Sequence, residues 1–169
     1  MKTLFVILSL LTPFMAYGKE DCSLKSLTLN NGSNIAERLF YTGTCHYRNE
    51  EYTQSAILWK QLADMDNVDK EYKKSQVDVL NNPGYLMFFG LGVDKDQFKA
   101  IAYWKKAITL GQTESEYHLC HAYADNKEPT YNREKAQMYC AKALLVYRGM
   151  EPRNEQILSL VEGYYEQVK

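Results

Sequence analysis

The chain has 169 residues, 20 Lys and Arg against 21 Asp and Glu, and 46% hydrophobic side chains. So even a balance speaks against nucleic acid or an anionic lipid surface as the main partner, since both reward a basic patch. The length suffices for one domain with a core of its own.

The chain opens with Lys2, an apolar run from Leu4 to Leu11, Thr12-Pro13, and small residues at Ala16 and Gly18. This order predicts an export signal over 1–18, cleaved after Gly18, with the domain over 19–169. The run is too short to span a bilayer comfortably and no second one follows, so no stable membrane anchor is expected. Lys19-Glu20-Asp21 before Cys22 is unlike a lipobox. An exported destination, periplasmic or secreted, is the expectation. Cys22, Cys45, Cys120 and Cys140 then read as two disulfides, for which the count alone permits three connectivities. Asn31-Gly32-Ser33 has the form of a glycosylation sequon, relevant only in a eukaryotic secretory pathway.

Further along, Gly43, His46-Tyr47, Glu51-Tyr52, Ser55-Ala56 and Trp59 precede a polar stretch, Asp66 to Lys74. Tyr85 to Phe89 reads as a helix, ended by Gly90-Leu91-Gly92, with Asp96 placed to cap the next one. Asn81-Asn82-Pro83-Gly84 lies just before it, and a proline costs about 3 kcal/mol inside a helix. The helix is therefore expected to begin at Pro83. Lys99-Ala100-x-x-Tyr103-x-x-Lys106-Ala107 returns 36 residues later as Lys135-Ala136-x-x-Tyr139-x-x-Lys142-Ala143. Ala100, Tyr103 and Ala107 share one helical face, and the small residues admit a neighbouring helix closely. Glu116 to Ala124 and the turn Asp125 to Pro129 precede the second copy. Ile157, Leu158, Val161 and Tyr165 then mark a last helix within 154–168, placed to cap the array.

The run Gly90-x-Gly92-Val93-x-x-Asp96-x-x-Lys99-Ala100-x-x-x-Trp104-x-Lys106-Ala107-x-x-x-Gly111 resembles the Sel1-like repeat signature. The earlier segment, Gly43 to Trp59, resembles a plain tetratricopeptide (TPR) repeat with a short turn. The resemblance covers roughly residues 36 to 147. It implies an all-α fold: a short right-handed α-solenoid of about three helix-turn-helix repeats plus a C-terminal capping helix. Trp59 and Trp104 become equivalent positions, 45 apart rather than 36, so about nine residues are inserted, expected at Asp66 to Lys74. Cys120 and Cys140 fall 36 residues after Gly84 and Trp104, on the paired helices of one repeat. Cysteine-rich members of the Sel1-like family are stapled within a repeat in this way, which implies Cys120–Cys140 and leaves Cys22 for Cys45.

The resemblance also implies a function of binding rather than catalysis. In repeats of this kind the first helix of each pair lines the concave side. Tyr85, Phe88, Phe89, Tyr117, His118 and His121 lie on first helices, and Tyr85, Phe88, Phe89, Tyr117 and His121 are the candidate contacts for a protein partner. An adaptor or scaffold is the leading expectation. An immunity-type inhibitor of a toxin or cell-wall hydrolase is the alternative. Some disulfide-rich Sel1-like proteins are described as penicillin-binding or β-lactamase-like, but neither S-x-x-K nor G-x-S-x-G occurs here, so no catalytic residue is assigned. His118 and His121, with Glu114 and Asp125 a turn away on either side, are a weak metal signal without a third clear ligand. No metal or other cofactor is expected.

Overall fold

The computed structural model describes residues 18–66 and 68–169; the expected signal peptide otherwise lies outside them. The described residues form α-helices and no strands: α1 (Ile35–Arg48), α2 (Tyr52–Ala63), a 3-10 turn (Lys70–Tyr72), α3 (Lys73–Val79), α4 (Asn81–Phe89), α5 (Gln97–Thr109), α6 (Ser115–Ala124), α7 (Arg133–Arg148) and α8 (Glu155–Val168). The fold is all-α.

Side-chain caps fix four of the starts. Asn34, Asp96, Asn132 and Asn154 accept from the backbone N–H groups of Ala36, Lys99, Lys135 and Ile157, at 2.8, 2.9, 2.9 and 3.1 Å. Each satisfies a donor that the first helical turn leaves unpaired, an effect of about 1 kcal/mol. Short turns fold the helices into three hairpins, α1 on α2, α4 on α5 and α6 on α7. Successive hairpins touch through α2 with α4 and α5 with α6, and α8 lies on both α6 and α7. Leu158, Val161 and Val168 are its buried residues. Arg133 ties down its far end, donating to the carbonyl of Val168 at 3.0 Å and to the Lys169 carbonyl.

The turn between α4 and α5 shows why glycine is needed there. Gly90 and Gly92 both have positive φ, 70° and 65°. A Cβ on Gly92 would sit 2.3 Å from the backbone nitrogen of Thr53. The turn thus rests against the start of α2, and the Thr53 hydroxyl donates to the Gly92 carbonyl at 3.0 Å. The α6–α7 turn lacks these glycines and closes with side chains instead. Thr130 donates to the Ala122 carbonyl at 2.6 Å, and the Asn132 N–H to that of Tyr123 at 3.0 Å.

One expectation needs correction. The helix before Gly90 does not begin at Pro83. It begins at Asn81, and Leu80 before it is still helical (φ −62°, ψ −25°), so α3 runs almost unbroken into α4. Pro83 lacks the N–H that the Val79 carbonyl would otherwise receive. The hydrogen-bond ladder is interrupted at Leu80 although the backbone stays helical, which places the proline in the first turn of α4, where its own N–H would have no partner within that helix. The nine extra residues form one insertion, as expected: Trp59 to Gly84 spans 25 positions where the equivalent step from Trp104 to Cys120 spans 16, and the excess lies between α2 and α4, the stretch that contains Asp66 to Lys74. Gly43 and Gly84 occupy the same place in their hairpins and are 41 positions apart, against 36 between Gly84 and Cys120. That net excess of five combines the nine added residues with a first hairpin that is four residues shorter than the second. The first hairpin is shorter because its turn is only Asn49 to Glu51 where the second uses Gly90 to Asp96. The added segment is secured by Gln76, 6% exposed, which donates to the carbonyls of Leu62 and Met65 at 3.1 and 2.6 Å.

Candidate functional site

Each hairpin is closed at its waist by one recurring pair. In the first, a Cβ on Gly43 would lie 2.6 Å from the Trp59 ring; in the second, a Cβ on Gly84 would lie 2.6 Å from Trp104 Nε1. The glycine is a floor on the first helix, and the indole of the second helix lies directly on it. In the third hairpin the same two places hold Cys120 and Cys140, which are bonded, with Cα atoms 4.5 Å apart. Cys22 is bonded to Cys45 (Cα–Cα 5.6 Å) and ties the N-terminal strap to α1. Both expected pairings are present. The strap is further held by two 2.8 Å hydrogen bonds between Asn49 and the backbone of Glu20, and by Glu51, which meets Lys19 at 2.8 Å and His46 at 2.6 Å. These two partners hold the Glu51 carboxyl below its usual range.

Aromatic side chains of α1, α4 and α6 meet in a continuous band. Tyr47 on α1 meets Tyr85 on α4 at 6.4 Å between ring centroids, and Tyr85 meets Phe89 at 4.8 Å and His118 on α6 at 6.4 Å. His118 lies flat on Trp104 (4.9 Å, 12° between planes) and beside Tyr117 (5.1 Å). His121 stacks with Phe89 at 5.9 Å and reaches Tyr164 on α8 at 5.3 Å. Between α1 and α4 the band opens into a cavity of about 350 Å³. Phe40, Thr44 and Tyr47 form its α1 wall; Asn81, Asn82 and Tyr85 form the α4 wall. Trp59 and His118 also line it.

The band is uncharged at neutral pH. Burial, with a smaller push from His121, lowers the His118 imidazole from 6.5 to about 4. Burial also lowers His121, against the opposing pull of Asp125 and Glu128. The phenols of Tyr47, Tyr117 and Tyr164 are raised, burial being the main cause in each. The arrangement offers flat apolar rings with neutral hydrogen-bonding edges, the composition of a protein-interface core.

The five expected contacts do not all reach this surface. Phe89 is 43% exposed and stands at the rim; Tyr85, Tyr117 and His121 are half-buried. Phe88 is 0% exposed and packs 5.4 Å from Trp104, so it belongs to the core and its place among the contacts is withdrawn. The side chains on either side of it in α4, Met87 and Phe89, hid this in the sequence. Phe40, Tyr47, Asn82 and Tyr164 were missed. The signal for two of the registers was present: counted from Gly43, Gly84 and Cys120, the residue three before is Phe40, Asn81 or Tyr117, and the residue one after is Thr44, Tyr85 or His121. The two histidines face separate aromatic neighbours, and among the described residues no three His, Cys, Asp or Glu side chains converge on a metal position. Asn31 is exposed in the strap.

No family model matches the chain, and no curated protein or solved structure gives a significant match. Two intrachain disulfides are compatible with an oxidising compartment, and among the described residues no helix is long and apolar enough to cross a membrane.

Proposed function

We propose that the chain is an exported protein-binding module of the Sel1-like/TPR kind, a short right-handed solenoid whose first-helix face receives a protein partner. The aromatic band from Tyr47 to Tyr164 carries this reading, with Phe89 exposed at its rim beside an open cavity. Support comes also from the three hairpins stacked in order and from the recurring waist pair, which sets the first helices side by side. Two disulfides and a capping helix make the band rigid, so binding costs little ordering entropy. An adaptor or scaffold is the function that follows. Its partners are proteins rather than nucleic acid, and it performs no catalysis.

The test is retention of a partner from a periplasmic extract by the oxidised protein, with Tyr85→Ala/Phe89→Ala as the control. Both side chains lie outside the closed core, so the variant is expected to fold, as circular dichroism checks. Retention of one protein by wild type and its loss in the variant supports the reading, and a retained toxin or wall hydrolase assigns the inhibitor role instead of the adaptor role. Equal retention by the folded variant places the working surface elsewhere.

A further inference from the structure

The second open site lies away from the band, between α5 and the turn joining α6 to α7. It encloses about 460 Å³. Tyr123, 4% exposed, forms its floor, and two large apolar side chains stand at its edge with no cover: Phe98, 67% exposed, and Tyr131, 43% exposed. Lys105 and Lys135 also line it, their ammonium groups 6.0 and 5.3 Å from the Tyr123 ring centre. No carboxylate lines the pocket, and among the described residues neither lysine makes an ion pair. The nearest acid of the turn, Glu128, is engaged by Gln97 at 2.6 Å and Lys95 at 3.4 Å.

We propose that this pocket binds an acidic peptide segment of a partner protein, in which one aromatic or large aliphatic side chain is flanked by carboxylates. The volume suits a single large side chain with its backbone. Phe98, Tyr131 and Tyr123 supply apolar contact for it, and a lysine waits on either side for a carboxylate. Charge complementarity of this kind sets specificity and association rate. A phosphate group is a poorer fit. It favours forked arginines or several converging donors, and no arginine lines the pocket. The site differs in chemistry from the first-helix band, which is uncharged, and its use does not depend on that band.

Fluorescence anisotropy tests it with a labelled peptide containing Glu-Asp-Phe-Asp-Glu, a version with Ser for Phe, and a version with Gln for the acids. The expected result is micromolar binding of the first peptide at low salt, about tenfold or more weaker for either control. Lys105→Glu/Lys135→Glu is expected to weaken binding about tenfold or more without lowering the melting temperature, and Phe98→Ala about fivefold. Phe89→Ala is expected to leave the affinity unchanged, which separates this site from the band. The proposal is overturned by absence of binding, by indifference to the charge reversal, or by equal affinity for the Ser peptide, which signals unspecific charge attraction. Displacement of the peptide by equimolar pyrophosphate also overturns it.

Discussion

The second and third hairpins solve one packing problem with different chemistry. In both, the first and second helices must approach closely at the waist. The second hairpin removes a side chain, at Gly84, and lays the Trp104 indole in the space, where its N–H donates to the Asn81 carbonyl at 3.1 Å. The third keeps two small side chains and bonds them, Cys120 to Cys140. The first solution stabilises the folded state through buried area and a hydrogen bond. The second acts largely by restricting the unfolded chain. The comparison teaches that equivalent positions of the hairpins share a contact between the two helices rather than a residue type, and that the two hairpins fail under different insults.

Trp104→Ala breaks the first solution most completely. Trp104 is 1% exposed and packs against Phe88 and His118, so its removal leaves a large cavity over Gly84 and orphans the stack on His118. A loss of about 3–5 kcal/mol is expected in urea titration, with no change in sensitivity to reductant. Cys120→Ala/Cys140→Ala breaks the second. The bond closes a loop of 20 residues, for which chain entropy gives about 3 kcal/mol. Added reductant is expected to destabilise wild type further and to affect this variant only through Cys22–Cys45. A Trp104→Ala protein that loses stability only when reduced contradicts the division of labour.

Much of this division was legible in the sequence. The 36-residue return of Lys99-Ala100-Tyr103 as Lys135-Ala136-Tyr139 marks a helix face, and a face repeats because each hairpin meets its neighbour through the same residues. The cysteines became readable by falling on the Gly84 and Trp104 positions. What escaped depends on context. The polar stretch Lys73–Val79 has no marked apolar face, so nothing in it announced a helix that continues into α4 and moves Pro83 to a tolerated place. Phe88 and Phe89 are adjacent and alike, and only packing against Trp104 decides that one is core and the other rim. The pocket around Tyr123 joins α5 to a turn some thirty residues on, a pairing that no local motif carries.

The stack on Trp104 sharpens the comparison through pH. His118 takes up a proton in the unfolded chain at about 6.5 but in the folded protein only at about 4. Between these values the unfolded state binds more protons, so stability falls as pH drops from about 6.5 toward 4 and is level above. Wild type is expected to lose about 1–2 kcal/mol more than His118→Phe between pH 7.5 and 5, measured by denaturant titration at each pH. Lowered His121 supplies a smaller slope that both proteins share. Equal slopes in the two proteins place the acid sensitivity elsewhere than on the Trp104 face.

The smallest effect separates the two tryptophans themselves. Trp104 Nε1 has its acceptor in Asn81, whereas Trp59 Nε1 is buried and without a partner among the described residues. The two hairpins differ three residues before the glycine floor. The carbonyl there is Asn81 in the second hairpin and Phe40 in the first, and Phe40 already accepts from the Thr44 hydroxyl at 2.8 Å. Trp→Phe removes similar area at both positions but a made hydrogen bond at one and an unmade one at the other. Trp104→Phe is therefore expected to cost about 1–2 kcal/mol more than Trp59→Phe. Thr44→Val, which releases the Phe40 carbonyl toward the indole, is expected to narrow that gap by raising the cost of Trp59→Phe when the two changes are combined. Equal costs for the two Trp→Phe variants mean that Trp59 finds an acceptor in solution, and the first hairpin then closes in the same manner as the second.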